Sequence, residues 1–308
     1  MDMATVEVTS PEPGEVLVRH TAIGLNYLDV YHRSGQIPLP VPSGIGAEAA
    51  GTVEAVGSDV SAFAAGDRVA YAGGPPGAYA EYRNVAAARL VNVPDTISDE
   101  QAAAVLLKGM TVEYLLNRTY PVRAGEFVLF YAAAGGVGSI AGQWGKALGA
   151  RMIGIAGGAE KCALALENGY EVVIDRNRED VAARVMELTG DHGVPVVYDS
   201  IGQATFDQSI QCLAPRGFFV SFGSTTGKVP PVAPSALAAS SLYFTRPTLA
   251  TYTASRADLL ASAEKVFSMV GSGKITVDIR QRYALAEVVQ AHRDLEAGDT
   301  RGSSILSP

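Results

Sequence analysis

The chain has 308 residues, 48% of them apolar and 18% charged, and carries a net charge of −8. That length holds two domains with sizeable cores, and that apolar content excludes an extended disordered chain. The acidic balance offers no general attraction to DNA, RNA or anionic lipid, and neither a charged-then-apolar leader nor a bilayer-length apolar run is present.

Along the chain, Glu15–Ala22, Ala47–Val56 and Arg68–Ala72 read as short strands separated by Gly, Pro, Ser and Asp. No long helical pattern intervenes, which predicts an antiparallel, loop-rich sheet. From Ser98, a candidate N-cap, the texture turns helical through Ala102–Leu107 and again over Thr111–Asn117. Strand-like runs then alternate with helical intervals: Phe127–Tyr131, Met152–Ala156, Val172–Ile174, Pro195–Asp199 and Phe218–Phe222, with helices including Glu179–Leu188 and Ala204–Leu213. Near-continuous apolar strands separated by amphipathic helices predict a parallel sheet covered on both faces. Leu242–Thr245 is a candidate last strand. A helix over Arg256–Val270, the apolar run Ile275–Ile279 and a helix over Leu285–Glu296 are expected to return to the first sheet.

The richest segment is the strand Phe127–Tyr131, its glycine turn Ala132–Gly138, and the apolar-periodic stretch that follows. Gly136, Gly138 and Ala141 fit G-x-G-x-x-G/A: a tight turn, a side chain omitted where a pyrophosphate approaches, and a small residue for close helix–strand packing. The helix N-terminus offers unpaired N–H groups and the positive end of its dipole to phosphates. An NAD site usually ends the next strand with Asp or Glu, which holds the ribose 2′-hydroxyl. Here that strand runs into Gly157-Gly158-Ala159, and Lys161 and Arg176 follow. A missing acid with cations nearby suits a 2′-phosphate, so NADPH is expected. The alternative is that both cations are ordinary surface groups and that Glu160 turns to the ribose. Cys162 and Cys212 make neither a disulfide framework nor a zinc site, and a cytoplasmic protein is expected.

Several blocks together resemble the quinone oxidoreductases, the zeta-crystallin-like branch of the medium-chain dehydrogenase/reductase superfamily. They are Gly24–Tyr31, Leu107–Thr111, Ala132–Gly138 with Gln143-Trp144, Val197–Gly202, Ser221–Gly223 and Thr245–Pro247. The resemblance runs from about Pro13 to the C-terminus, and the chain starts later than is usual for the family, as if its first strands were shortened. It implies an α/β protein: a GroES-like, mostly antiparallel catalytic domain (1–109 and 248–308) interrupted by a Rossmann, doubly wound parallel-sheet domain (110–247). NADPH is expected in the cleft between them, held by Lys108, Thr111, Ala134, Gly135, Gly136, Val137, Gly138, Gly157, Lys161, Arg176, Ser200, Phe222, Gly223, Ser224 and Arg246.

The same resemblance places Asn26, Asp29 and Tyr31 near the nicotinamide, with Arg246 at the pocket. Asn26 is to orient cofactor or substrate, and Tyr31 either donates to a quinone oxygen or simply packs. Asp29 is alternatively an internal acceptor. Zinc members carry a cysteine where Asn26 stands and Gly-His-Glu where this chain has Gly46-Ala47-Glu48. Neither Asn nor Ala replaces a thiolate or imidazole ligand, so no metal is expected and alcohol oxidation is disfavoured. A quinone is already a good electron acceptor and needs mainly to be held at hydride-transfer range. The implied activity is NADPH:quinone reduction by a cytoplasmic homodimer joined near Leu242–Thr245, with no nucleic-acid or membrane partner. Alternatives on the same fold are an enone or alkenal reductase and a non-catalytic, crystallin-like NADPH-binding protein. Loops near Ile37, where a family tyrosine is replaced, and Thr251–Thr253 are expected to set substrate range. His20, His32, His192 and His292 show no metal-type spacing and read as surface or structural residues.

Overall fold

A computed structural model describes all residues, Met1–Pro308. In chain order the elements are β1 (Glu15–Leu25), α1 (Tyr27–Arg33), β2 (Glu48–Val56), β3 (Arg68–Ala72), β4 (Tyr82–Ala86), β5 (Val91–Asn92), α2 (Asp99–Tyr114), β6 (Phe127–Tyr131), α3 (Gly136–Ala147), β7 (Arg151–Ala156), α4 (Ala159–Glu167), β8 (Val172–Asp175) and α5 (Val181–Thr189). They continue with β9 (Val194–Asp199), α6 (Phe206–Gln211), β10 (Leu213–Ser221), α7 (Pro234–Ala238), β11 (Tyr243–Thr245), α8 (Leu249–Tyr252), α9 (Arg256–Gly271), β12 (Ile279–Ala284), α10 (Val288–Ala297) and β13 (Ser303–Ser307). The chain divides into two compact units, Met1–Met110 with Tyr252–Pro308, and Thr111–Thr251.

The first unit is built on a seven-stranded sheet in the order β12-β13-β1-β2-β3-β5, with β4 also on β1. Its length lets β1 serve three neighbours: β2 along one edge, and β4 and β13 on the two halves of the other. The alternation Val16, Val18, His20 buries one face at first, and Ala22–Leu25 is then buried throughout. Val53, Val69, Tyr71 and Leu90 pack on this strand, and the C-terminal segment closes the core with Leu285, Val288, Ala291 and Leu306. Each such large side chain contributes on the order of 1.5–3 kcal/mol by leaving water.

The second unit is a six-stranded sheet in the order β11-β10-β9-β6-β7-β8, with every neighbouring pair parallel. The chain enters at β6, builds outward through β7 and β8, and then crosses back to β9. The strand order therefore reverses beside the C-terminal end of β6, where ligands bind in open α/β sheets. Leu129, Ile153, Ile155, Ile174, Val197 and Phe219 are enclosed by side chains from α5 and α6. Burial on both faces explains why these strands read as unbroken apolar runs.

Several local expectations change. α1 falls where no helix was foreseen, and β4, β5 and β13 also escape the sequence pattern. The two helical stretches around Thr111 are one helix, α2, extended by a π turn over Leu115–Thr119. Ser98 does cap α2: its Oγ accepts from Gln101 N–H at 3.1 Å while Gln101 Oε1 accepts from Ser98 N–H at 2.9 Å. α6 is shorter than expected because β10 already begins at Leu213, and Ile275–Asp278 is irregular, the strand starting at Ile279.

Candidate active site

In the second unit, β6 ends in a turn in which Ala132 takes a left-handed φ of +55° and Gly135 N–H donates to the Ala132 carbonyl at 2.9 Å. Gly135 caps α3 with no side chain across the helix end, so the first N–H groups face outward. Ser139 Oγ lies buried in the same turn without a hydrogen-bond partner. This is a cradle of donors with a positive dipole end and no competing carboxylate, and it fits a pyrophosphate. Gly138 has a further role: a Cβ there would stand 2.2 Å from Ala132 O and 2.7 Å from Ala133 Cα. Its missing side chain lets α3 sit on its own turn. Ala141 is fully buried on α3, and the helix also comes close at Gly142, against Tyr170, and Gly145, against Met152. Tyr170 OH also donates to Gly138 O at 2.8 Å.

At the end of β7, the Arg176 guanidinium lies over Gly157, its Nε 3.0 Å from where a Cβ would be. The nearest β-strand acid, Asp175, accepts Gly158 N–H at 2.9 Å and Asn177 N–H at 3.1 Å with one oxygen, Oδ1. Those backbone donors, Gly158 first, hold its carboxyl below the ordinary range. The acid thus organises the Gly157–Gly158 turn, leaving Arg176 above it and Lys161 on the first turn of α4. That donor set fits a 2′-phosphate better than a ribose diol.

Ser200, Phe222, Gly223 and Ser224 meet in a weave of loops beyond β9 and β10. Phe222 N–H donates to Asp199 O at 2.8 Å, Thr225 N–H to Ser200 O at 3.3 Å and Thr226 N–H to Ile201 O at 2.9 Å. Arg246 Nη1 joins them, donating to Gly223 O at 2.9 Å and Ser221 Oγ at 3.4 Å. The organiser is Asp199, which sequence reading passed over. It is fully buried and accepts from Ile201 N–H, Gly202 N–H, Thr205 Oγ1 and Ser209 Oγ at 2.6–3.0 Å.

In the first unit, Asn26 caps α1, and its N–H donates to Asp29 Oδ2 at 2.9 Å. Its Nδ2 donates to Glu48 Oε2 at 2.8 Å, while Glu48 Oε1 accepts Leu107 N–H at 2.7 Å. Lys108 Nζ stands 3.5 Å from Glu48 Oε2. Asp29, Glu48 and Lys108 are all buried; Lys108 pairs with Glu48, and its charge also acts on Asp29. Burial pushes the Asp29 carboxyl up to about 7, against the opposing pull of Asn26 N–H, Tyr79 OH and the Lys108 charge. Burial likewise raises Glu48, with Lys108 opposing it. Glu48 was missed as a site residue, although it was visible as the unchanged third position of the Gly-Ala-Glu sequence. Tyr31 is buried edge-on to Tyr27, ring centroids 5.2 Å apart. Thr111 lies one turn beyond Lys108 on α2 and is also buried.

The histidines divide. His20 is buried, with Nδ1 2.7 Å from Ala80 O and Nε2 3.1 Å from Tyr71 OH, and burial lowers it to about 4. His292 is buried too, while His192 is exposed. No group of three or more His, Cys, Asp or Glu side chains is disposed to hold a metal ion, and both cysteines are free. No helix is long and apolar enough to cross a membrane.

A mixed sheet carrying buried polar groups, followed by a parallel sheet with a glycine turn at its switch point, is the architecture of a medium-chain dehydrogenase/reductase, and the comparisons place the chain there. Residues 12–95 match the family described as Alcohol dehydrogenase GroES-like domain, and residues 136–269 match Zinc-binding dehydrogenase. The chain is 52% identical over 300 residues to a quinone oxidoreductase of Pseudomonas aeruginosa, covering 97% of this chain and 92% of the relative. It is 40% identical to a 2-haloacrylate reductase of a Burkholderia species, covering 98% and 93%. A crystal structure of Escherichia coli quinone oxidoreductase complexed with NADPH superposes with a TM-score of 0.97 at 46% identity, covering 99% and 95%. The chain belongs to the quinone oxidoreductase family.

Proposed function

We propose that the protein is an NADPH-dependent quinone reductase that passes reducing equivalents to a small quinone without a metal ion. The observation that carries the cofactor assignment is the end of β7, where Asp175 is spent on backbone N–H groups and Arg176 covers Gly157. The E. coli relative's complex with NADPH supports the same assignment. When bound, NADPH supplies the hydride.

In this reading residues 110–247 form the cofactor domain and residues 1–109 with 248–308 the catalytic domain. The outward N–H groups of Gly136, Val137 and Gly138, with Ala134 and Gly135 in the turn, take the pyrophosphate. Lys161 and Arg176 take the 2′-phosphate beside Gly157, and Ser200, Phe222, Gly223 and Ser224, braced by Arg246, line the cofactor. Lys108 and Thr111 reach it from α2. Asn26, Asp29 and Tyr31 form the acceptor side. Glu48, an acceptor, fixes Nδ2 of Asn26 and so turns Oδ1 to any ligand donor. The metal-free reading rests on the donor set: Ala47 has no ligating atom and the Asn26 amide nitrogen is committed to Glu48.

Lys161→Ala with Arg176→Ala is expected to raise the NADPH Kd about a hundredfold, since two charge-assisted contacts are lost. NADH affinity should stay within about threefold on the same reasoning. Fluorescence titration with both cofactors measures this, and equal losses would overturn the 2′-phosphate assignment. The kinship with a 2-haloacrylate reductase favours one second reading, reduction of an activated double bond, so an acceptor panel needs quinone and alkene arms.

The reading also places the protein in the cytoplasm as a homodimer. The edge strand β11 has one side unpaired, and its Tyr243 and Phe244 are 53% and 37% exposed. A second copy pairing there would continue the sheet. Sedimentation is expected to give twice the chain mass; a monomer at micromolar concentration would contradict it.

A further inference from the structure

One partly buried chain of hydrogen bonds in the first unit involves two residues that the functional reading does not use. His292 Nε2, on α10, lies 3.0 Å from Tyr79 Oη, and Tyr79 OH lies 2.9 Å from Asp29 Oδ2. The same Oδ2 accepts the Asn26 N–H that opens α1. The polarity of this chain follows from proton counting. An ionised Asp29 only accepts, so the single hydroxyl proton of Tyr79 points to it, and His292 Nε2 must then be the donor. That tautomer leaves Nδ1 bare, and Nδ1 is buried with no partner. An imidazolium would bury a second N–H without an acceptor, in keeping with a histidine that burial lowers to about 4.

Packing supports the same purpose. The Tyr79 ring rests on Gly46, at φ +96°, where a Cβ would stand 2.4 Å from the ring. The ring meets His292 edge-on at 5.8 Å and 88°. Tyr79, backed by His292, therefore meets the Asn26 N–H on one carboxylate oxygen, which in turn holds the N-cap of the helix carrying Tyr31.

We propose that Tyr79 and His292 are positioning residues of the reaction, acting through Asp29 to fix the start of α1 and the amide of Asn26. This rests on the NADPH:quinone reductase reading. The groups facing Asp29 are Asn26 and Tyr79, with Glu48 from β2, Lys108 from α2 and Tyr71 from β3. Those facing His292 are Tyr79, Arg33 from α1, Glu296 from its own helix and the chain's amino terminus. Tyr79 is one of the two hydrogen-bond donors on Asp29, so its loss makes the carboxyl harder to ionise.

The test uses the full chain with NADPH. NADPH affinity by fluorescence, and kcat and KM for a quinone, are followed between pH 5 and 9 for wild type, Tyr79→Phe, His292→Ala and His292→Gln. Tyr79→Phe is expected to move the neutral midpoint of both profiles upward by about one pH unit, through the lost hydrogen bond. His292→Ala should lower kcat about tenfold with little change in KM, as expected for a misplaced reacting group. His292→Gln keeps a donor toward Tyr79 and should recover most of that loss. Unmoved midpoints in Tyr79→Phe, or His292→Gln as impaired as His292→Ala, would overturn the proposal. A wild-type protein that binds NADPH but reduces no quinone would instead sink the functional reading, and the binding profiles would still report on Asp29.

Discussion

Gly138→Ala should cost about 2–3 kcal/mol of stability and weaken NADPH binding by about two orders of magnitude. The added methyl would stand 2.2 Å from Ala132 O and 2.7 Å from both Ala133 Cα and Ala133 O. All three are backbone atoms, so no side chain can rotate away. The helix must move off its turn, and the N–H groups proposed to cradle the phosphates move with it. Gly135→Ala provides the control for stability, because its Cβ meets only Ala132 O, at 3.3 Å, and Gly135 has an ordinary extended backbone. Thermal melts of the two variants, with fluorescence titration of NADPH, measure both effects. If Gly138→Ala melted and bound like wild type, the close approach of α3 to its turn would not be what shapes the cradle.

The second large effect concerns pH. Asp29 titrates at about 7 in the folded chain, against an ordinary 3.8. Between those values the folded chain holds a proton that the unfolded chain has released, so this group makes stability fall as pH rises. The full contribution corresponds to about 4 kcal/mol, present below the unfolded value and lost once pH exceeds the folded one. His20 and His292, lowered to about 4, act in the opposite sense: their contribution is lost as pH falls below the ordinary histidine value. The wild-type profile mixes these terms, so the informative quantity is the difference between Asp29→Asn and wild type. Asparagine keeps an oxygen for Asn26 N–H and Tyr79 OH but cannot ionise. Urea unfolding at pH 5 and pH 8 should show Asp29→Asn gaining about 2–3 kcal/mol relative to wild type at the higher pH, because pH 5 already lies above the unfolded value. A difference that did not change with pH would mean that Asp29 is not an acid raised by burial.

What was legible in the sequence followed from local physics. The strands of the second unit announced themselves because burial on both faces demands unbroken apolar runs such as Phe127–Tyr131. The glycine turn was legible because the strand before it and the helix after it were legible too. α1 was hidden: its seven residues are too few for a periodic pattern, and its N-terminal signal is the pairing of Asn26 with Asp29. β13 was hidden because Ser303 and Ser304 are buried polar residues whose places are set by contact with Ala104 O and Gln281. The blocks at Asn26, Lys108 and Arg246 drew attention to their segments, but not to what holds them. Glu48 reaches Leu107 across 59 positions and Tyr79 reaches His292 across 213, distances over which periodicity and spacing carry no information. Asp199 sat inside a recognised block, yet its four donors appear only once the loop has closed.

The central claim is that this chain reduces quinones at the expense of NADPH. Its most direct test is steady-state NADPH oxidation by the purified full-length protein against matched panels of simple quinones and activated alkenes, each repeated with NADH. The account predicts turnover with NADPH and a quinone, at a kcat/KM at least about tenfold above that with NADH or with any alkene. NADPH binding without quinone turnover, or a clear preference for the alkene panel, would contradict it.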